Sequence, residues 1–194
     1  ALFGDAASAT LISADEGFAS IGNFCLGTDG KGADNLILKN GAFRHKNSKK
    51  YDGAISNDRI FVRDDNYLYM NGREIFNFAA HIVPELVQQT LARHHLDIAD
   101  IDLFVFHQAN RYILNFIRKS LDIPDEKFYI NLANTGNTVS ASIPIALKTA
   151  LDEGRIKQKS TVTIAGVWRW LLLRRHGFKF LISTSPECIA NSTF

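Results

Sequence analysis

The chain has 194 residues, 46% of them hydrophobic and 22% charged, with a formal net charge of +2. That length holds one core, or one and a half, and so even a charge gives no strong pull on nucleic acid or an acidic membrane. No uncharged apolar run approaches the ~20 residues of a membrane span, and Cys25 and Cys188 form neither a metal spacing nor a CxxC pair, so a reducing, cytoplasmic setting is the expectation.

The opening, Ala1-Leu2-Phe3-Gly4-Asp5, has no initiating Met and no cationic, apolar signal segment. It reads as the middle of a strand-and-turn region, and a fragment is expected. Ala6 to Ile12 is a run of small and β-branched residues, expected to be a buried strand. Ile21 to Leu26 is a second strand candidate, and the Gly- and Asp-rich stretch from Gly27 to Asp34 reads as loop. Phe43 to Lys50 is the one basic cluster, read as a solvated loop or as a docking patch for an acidic partner.

Asn71 with Glu74 three residues on forms a capping-box pattern. From there Ile75, Phe78, Ala79, Ile82, Leu86 and Leu91 recur at helical spacing, and Pro84 should kink the helix or shift its hydrogen bonds. His94 and His95 fall in the expected last turn, where the helix dipole favours positive charge. Adjacent residues point to different faces, which argues against metal binding there. Ile101 to Phe106 is a short apolar strand running into His107. A helix is predicted from Arg111 to Leu121, with Ile113, Leu114, Ile117 and Leu121 on one side. Phe128 to Leu132 is the next strand. Another helix runs from about Ser140 to Glu153, with Pro144 in its first turn and Gly154 at its C-cap. Thr161 to Ala165 is a buried strand. Strands alternating with helices imply a largely parallel sheet covered on both faces.

The polar residues with most chemical promise sit at two predicted strand-to-helix junctions, His107-Gln108-Ala109-Asn110 and Gly136-Asn137-Thr138. Open α/β sheets bind ligands beyond the carboxyl ends of their strands. A neutral imidazole and a carboxamide are both N–H donors. Two donors converging on one carbonyl would stabilise a negative oxygen as it forms, at ~3–4 kcal/mol each in the transition state. Taken singly, a His after an apolar strand is a structural hydrogen bonder, and an Asn beside Gly is a turn former.

With their flanks, "FVFHQANRYI" and "NTGNTVSASIPIAL" resemble the C-terminal half of β-ketoacyl-acyl-carrier-protein synthase III, a condensing enzyme of the thiolase fold. "LFGDAASA" likewise resembles the family's "LFGDGAGA", which ends the first half of the duplicated fold. The resemblance runs from residue 1 to about Gly166 and is weakest over 27–65. It implies an α/β, thiolase-like fold: one half of the duplicated αβαβα sandwich plus the last strands of the other half. Residues 1–66 would be the end of the first half and a connecting loop, and residues 67–166 the C-terminal half. It implies that His107 and Asn137 are catalytic, that Gln108 and Asn110 support the loop, and that Arg111, Arg118 and Lys119 bind carrier protein. The family often places its docking arginine one position after Arg111, where this chain has Tyr112. The implied activity is acyl transfer with decarboxylative condensation in fatty acid biosynthesis. Acyl-CoA and malonyl-acyl-carrier protein would be substrates, with no metal or other cofactor. The implied partners are acyl carrier protein and, in the full-length parent, a second copy in a homodimer, with no nucleic acid and no membrane.

Two departures stand out. The family's nucleophilic Cys lies upstream of "LFGD", and neither Cys25 nor Cys188 matches it, so the fragment alone is expected to be inactive. A non-catalytic truncated or companion subunit is the alternative. After Gly166 the family continues with a glycine-rich turn and a last strand, whereas this chain reads Val167-Trp168-Arg169-Trp170. The codons GGG TTT GGC GTT GG encode Gly-Phe-Gly-Val-Gly, and one inserted G turns them into Gly-Val-Trp-Arg-Trp. The same correction converts the run from Arg174 to Leu181 into Ala-Ala-Thr-Val-Leu-Asn-Phe-stop, similar to the family's closing strand. Residues 167–194 are therefore expected to be an aberrant, frameshifted tail that leaves a sheet edge unpaired; the alternative is a genuine, divergent apolar tail that packs on the sheet.

Overall fold

The computed structural model describes residues 3–14, 19–23, 25–41 and 65–166, with the backbone of 181–183. The basic cluster at Phe43–Lys50, the Val167–Trp170 run and Cys188 lie outside the described residues. In chain order the elements are β1 (Ser20–Ile21), β2 (Leu36–Ile37), β3 (Tyr69–Met70), α1 (Gly72–Arg93), β4 (Leu103–Phe106), α2 (Arg111–Ser120), β5 (Phe128–Tyr129), α3 (Ser142–Asp152), β6 (Thr161–Ala165) and β7 (Leu181–Ser183).

The main sheet has the order β1-β7-β6-β4-β5. β4 runs parallel to both β5 and β6, while β7 runs antiparallel to β6 and to β1. Alternation along β4 divides the core. Phe104 and Phe106 point to the face covered by α1 and α2, where they join Val83, Val87, Leu91, Ile113, Leu114, Ile117 and Leu121. Leu103 and Val105 point to the other face, against Ala146 and Ala150 of α3 and Val162 and Ile164 of β6. Successive strand side chains alternate faces, so a strand that is apolar at every position is one covered on both sides. Phe106 meets Phe104 and Phe128 edge-on, at ring-centroid distances of 6.0 and 5.1 Å, the arrangement aromatic quadrupoles prefer.

The helices start where their caps are. Asn71 Oδ1 accepts the N–H of Glu74 at 3.4 Å, while the Asn71 N–H donates to the Asn35 carbonyl at 2.7 Å; this joins α1 to the β2 region in place of the second half of a capping box. The α1 helix continues through Pro84. Its last residue is Arg93, so His94 is the C-cap rather than part of the last turn, and His95 takes a left-handed φ of 55°. His94 Nε2 lies 2.8 Å from the Asn23 carbonyl, a structural contact.

Three strand expectations need correction. Ala6–Ile12 is exposed and pairs with no described strand; small, β-branched composition favours a strand only where a neighbouring strand supplies the ladder. The strand expected at Ile21–Leu26 is reduced to Ser20–Ile21, and that expected at Phe128–Leu132 to Phe128–Tyr129. The edge of β6 expected to be open is instead paired with Leu181–Ser183, Val162 facing Ile182. Backbone ladders need no particular side chains, so an extended segment within reach can cover an edge.

Candidate active site

Because β4 and β5 are parallel neighbours, with Phe104 opposite Phe128 and Val105 opposite Tyr129, their carboxyl ends open on the same side of the sheet. His107 is the first residue after β4, and its N–H donates to the Ala165 carbonyl at the end of β6 at 2.8 Å. Asn137 lies in the loop that follows β5 and leads to α3. This is the end of an α/β sheet at which ligands are bound.

The His107 imidazole is mostly buried, and burial pushes its pKa from 6.5 down to about 4, because the low-dielectric surroundings penalise the charged form. Its Nδ1 lies 2.7 Å from Ser142 Oγ. The same oxygen accepts the Gln108 N–H at 3.3 Å. Ser142 is buried and opens α3, so the helix holds the ring from behind. Sequence reasoning did not single out Ser142. A Ser at a helix start reads as a cap, and only the packing of α3 against the end of β4 shows which side chain it meets.

Asn137 is 9% exposed. Its Oδ1 accepts the Val139 N–H at 2.9 Å, and its backbone carbonyl accepts the Gly4 N–H at 2.9 Å. The loop around it is tightly wound, with φ of 62° at Gly136 and 56° at Val139. Glycine takes the left-handed region freely, whereas a β-branched residue there costs about 1–3 kcal/mol. Thr138 Oγ1 next door is buried without a hydrogen-bond partner. Asn137 and Ser142 thus bracket a short 3-10 turn, Val139–Ala141, which connects the anchoring of both side chains.

Gln108 is 1% exposed and bridges the ends of the two strands. Its amide donates to the Phe106 carbonyl at 2.6 Å and the Tyr129 carbonyl at 3.3 Å, and accepts the Asn131 N–H at 2.7 Å. Asn110 caps α2, its Oδ1 accepting the Ile113 N–H at 2.9 Å. Of the three cations suggested for docking, Arg111 and Lys119 lie on the open surface of α2. Arg118 is committed locally: its Nη1 donates to the Ile123 carbonyl at 3.1 Å and its Nε lies 3.3 Å from Asp125. Cys25 is a buried thiol. Among the described residues no group of three His, Cys, Asp or Glu could hold a metal ion, and no helix is long and apolar enough to cross a membrane.

Residues 91–167 match the family model for the C-terminal domain of 3-oxoacyl-acyl-carrier-protein synthase III. The β-ketoacyl-acyl-carrier-protein synthase III of Clostridium perfringens is 38% identical over 165 residues, covering 85% of this chain and 48% of that protein. A chloroplastic β-ketoacyl-acyl-carrier-protein synthase III of Cuphea wrightii is 36% identical over 169 residues, with 85% and 41% covered. The chain spans about half the length of the curated relatives it matches. A crystal structure of a 3-oxoacyl-acyl-carrier-protein synthase III superimposes with a TM-score of 0.75 at 35% identity, covering 86% of this chain and 48% of that one. The Pseudomonas aeruginosa enzyme gives 0.65 at 27% identity, covering 93% and 48%. Over that shared length the fold is thiolase-like.

Proposed function

Because the chain is a homologue of the C-terminal domain of 3-oxoacyl-acyl-carrier-protein synthase III, we propose that it supplies the decarboxylation half of a condensing site, with His107 and Asn137 as paired donors to a malonyl thioester carbonyl. The observation that carries this reading is the way the two side chains are held. Asn137 Oδ1 is taken by the Val139 N–H, which makes the –NH₂ the side that can meet a carbonyl oxygen. In this reading Ser142 Oγ accepts from Gln108 and donates its proton to His107 Nδ1, which leaves the ring proton on Nε2. An imidazole with a pKa near 4 is neutral at pH 7 and donates through that N–H without acting as an acid.

The chemistry follows from these donors. The carboxylate of the malonyl group leaves as CO₂, and the electron pair of the broken C–C bond moves into the adjacent thioester as an enolate. The oxygen gains charge as the bond breaks, so donors fixed at that oxygen lower the barrier more than they tighten substrate binding. The enolate carbon then attacks an acyl thioester carried by a Cys on the other half of the fold, forming the new C–C bond as the acyl C–S bond breaks and the Cys thiolate leaves. Carrier protein is acidic and would be steered by exposed cations, for which Arg111 and Lys119 are available. The acting parent would be a homodimer of the full-length enzyme.

The test is to mix this chain with a Cys-bearing first half and malonyl-carrier protein and to measure CO₂ release. His107→Ala and Asn137→Ala should each lower the rate by about 10²–10³-fold. Unchanged release would overturn the reading. Absence of release from every combination would favour the companion, non-catalytic role.

The change of sequence after Gly166 supports a further part of the reading, that residues from Val167 onward are out-of-frame translation. The family match also stops at residue 167. Sequencing the underlying DNA decides it: a clean frame through that codon ends the idea.

A further inference from the structure

Gly4 lies in a segment that is largely exposed and carries no regular secondary structure from Gly4 to Ser13, yet its own position is closely constrained. Its N–H donates to the Asn137 carbonyl at 2.9 Å, and Phe3 forms a parallel bridge with Asn137. A Cβ built on Gly4 would lie 2.2 Å from the Thr135 carbonyl oxygen and 3.5 Å from Thr138 Cγ2. The first distance is far inside van der Waals contact, and the atom it meets is backbone, so no rotamer change relieves it. The reason for glycine here is close approach of two main chains.

We infer that Gly4 is a positioning residue for Asn137. The Asn137 peptide is held from both sides. Its side-chain oxygen is held by the Val139 N–H, and its carbonyl by Gly4 from a segment more than a hundred residues earlier. The turn between Thr135 and Val139 has two left-handed residues, Gly136 and Val139, and among the described residues its other hydrogen bonds are local. Any side chain at position 4 must displace either the Phe3–Asp5 segment or the Thr135 carbonyl, and each displacement releases the Asn137 peptide. The functional meaning of this clamp rests on the role proposed for Asn137; its geometry does not.

The experiment is amide hydrogen exchange followed by NMR on this chain. In the wild type, the Gly4 N–H should exchange about tenfold or more slowly than those of Asp5, Ala6 and Ala7, corrected for intrinsic rates. Equal exchange across the four would overturn the inference without any substitution. In Gly4→Ala, the Val139 N–H should exchange about five- to tenfold faster, the net worth of one hydrogen bond, and the Asn137 side-chain amide resonances should shift. The amides of Phe104 and Val105 should stay as protected as in the wild type. An Ala6→Gly control should change none of these. Unmoved Val139 and Asn137 signals in a folded Gly4→Ala chain would also overturn it. Because these readouts need no turnover, a clamp that is confirmed while Asn137→Ala keeps full decarboxylation would sink the proposed function alone.

Discussion

Ala6–Ile12 and Thr161–Ala165 look alike as sequence and end up in opposite environments. Both are runs of small and β-branched residues, the composition that suits a strand covered on both faces. Thr161–Ala165 lies between β4 and β7 with four of its five residues buried. Ala6–Ile12 is exposed along its length, with Leu11 at 93%. Composition states a preference, whereas a strand exists only where another strand lines up beside it. For Thr161–Ala165 that partner is β4, delivered by the same βαβ wiring that builds the sheet. For Ala6–Ile12 no described strand takes the place, and the bridge to Asn137 is made by Phe3 and Gly4 just before it.

The sharpest way to break this comparison is to truncate one side chain in each region. Phe104 is completely buried and packs edge-on against Phe106, so Phe104→Ala should lose about 3–5 kcal/mol in urea unfolding. Leu11→Ala should change stability by less than about 0.5 kcal/mol. A Leu11→Ala loss comparable to that of a core residue would show that Ala6–Ile12 is packed after all.

Acid should separate the regions next, because His107 belongs only to the buried one. Its folded pKa, about 4, is below the unfolded value of 6.5, so between those values the unfolded chain binds more protons. Stability from this group is therefore fully present above pH 6.5 and is lost as pH falls toward 4. The loss is on the order of 2–3 kcal/mol, at 1.36 kcal/mol per pKa unit and reduced for partial solvent access. Thermal melts of His107→Gln should show a shallower decline than wild type across that window. Parallel curves would mean that the ring is solvated when folded.

The smallest effect compares two helix caps. Asn110 caps α2 within the tightly packed half at 2.9 Å, and Asn71 caps α1 beside the β2 region at 3.4 Å. Asn110→Ala should cost about 1 kcal/mol and Asn71→Ala less, since bonds of that length are weak. Circular dichroism during denaturant titration measures both, and the reverse order would count against reading the region before α1 as the looser one.

The sequence was most legible where the pattern is local. The apolar stripe of α2 is the buried stripe, the Asn71 cap falls where expected, and Thr161–Ala165 is a strand from end to end. Gln108 was expected to brace its loop, and it joins β4 to β5. Arg118 is a carrier-protein contact only by resemblance, and its sequence gives no sign of the Ile123 carbonyl and Asp125 that it meets. Ser142 and Gly4 were not singled out at all. Each matters through a contact with a residue remote in the chain, and neither a lone Ser nor a lone Gly carries a pattern that names its partner.

By itself the sequence determined the alternation of strands and helices, the residues that bury, and the placing of His107 and Asn137 at strand-to-helix junctions. Periodicity and capping depend on neighbours a few positions away, so the chain carries them openly. Tertiary structure alone decided that the two junctions open on one side of a parallel sheet, that Ser142 Oγ meets the imidazole, and that Gly4 grips the Asn137 peptide. Hydrogen bonds reach only about 3 Å, so bonds between groups tens of residues apart exist only after the backbone has brought them together.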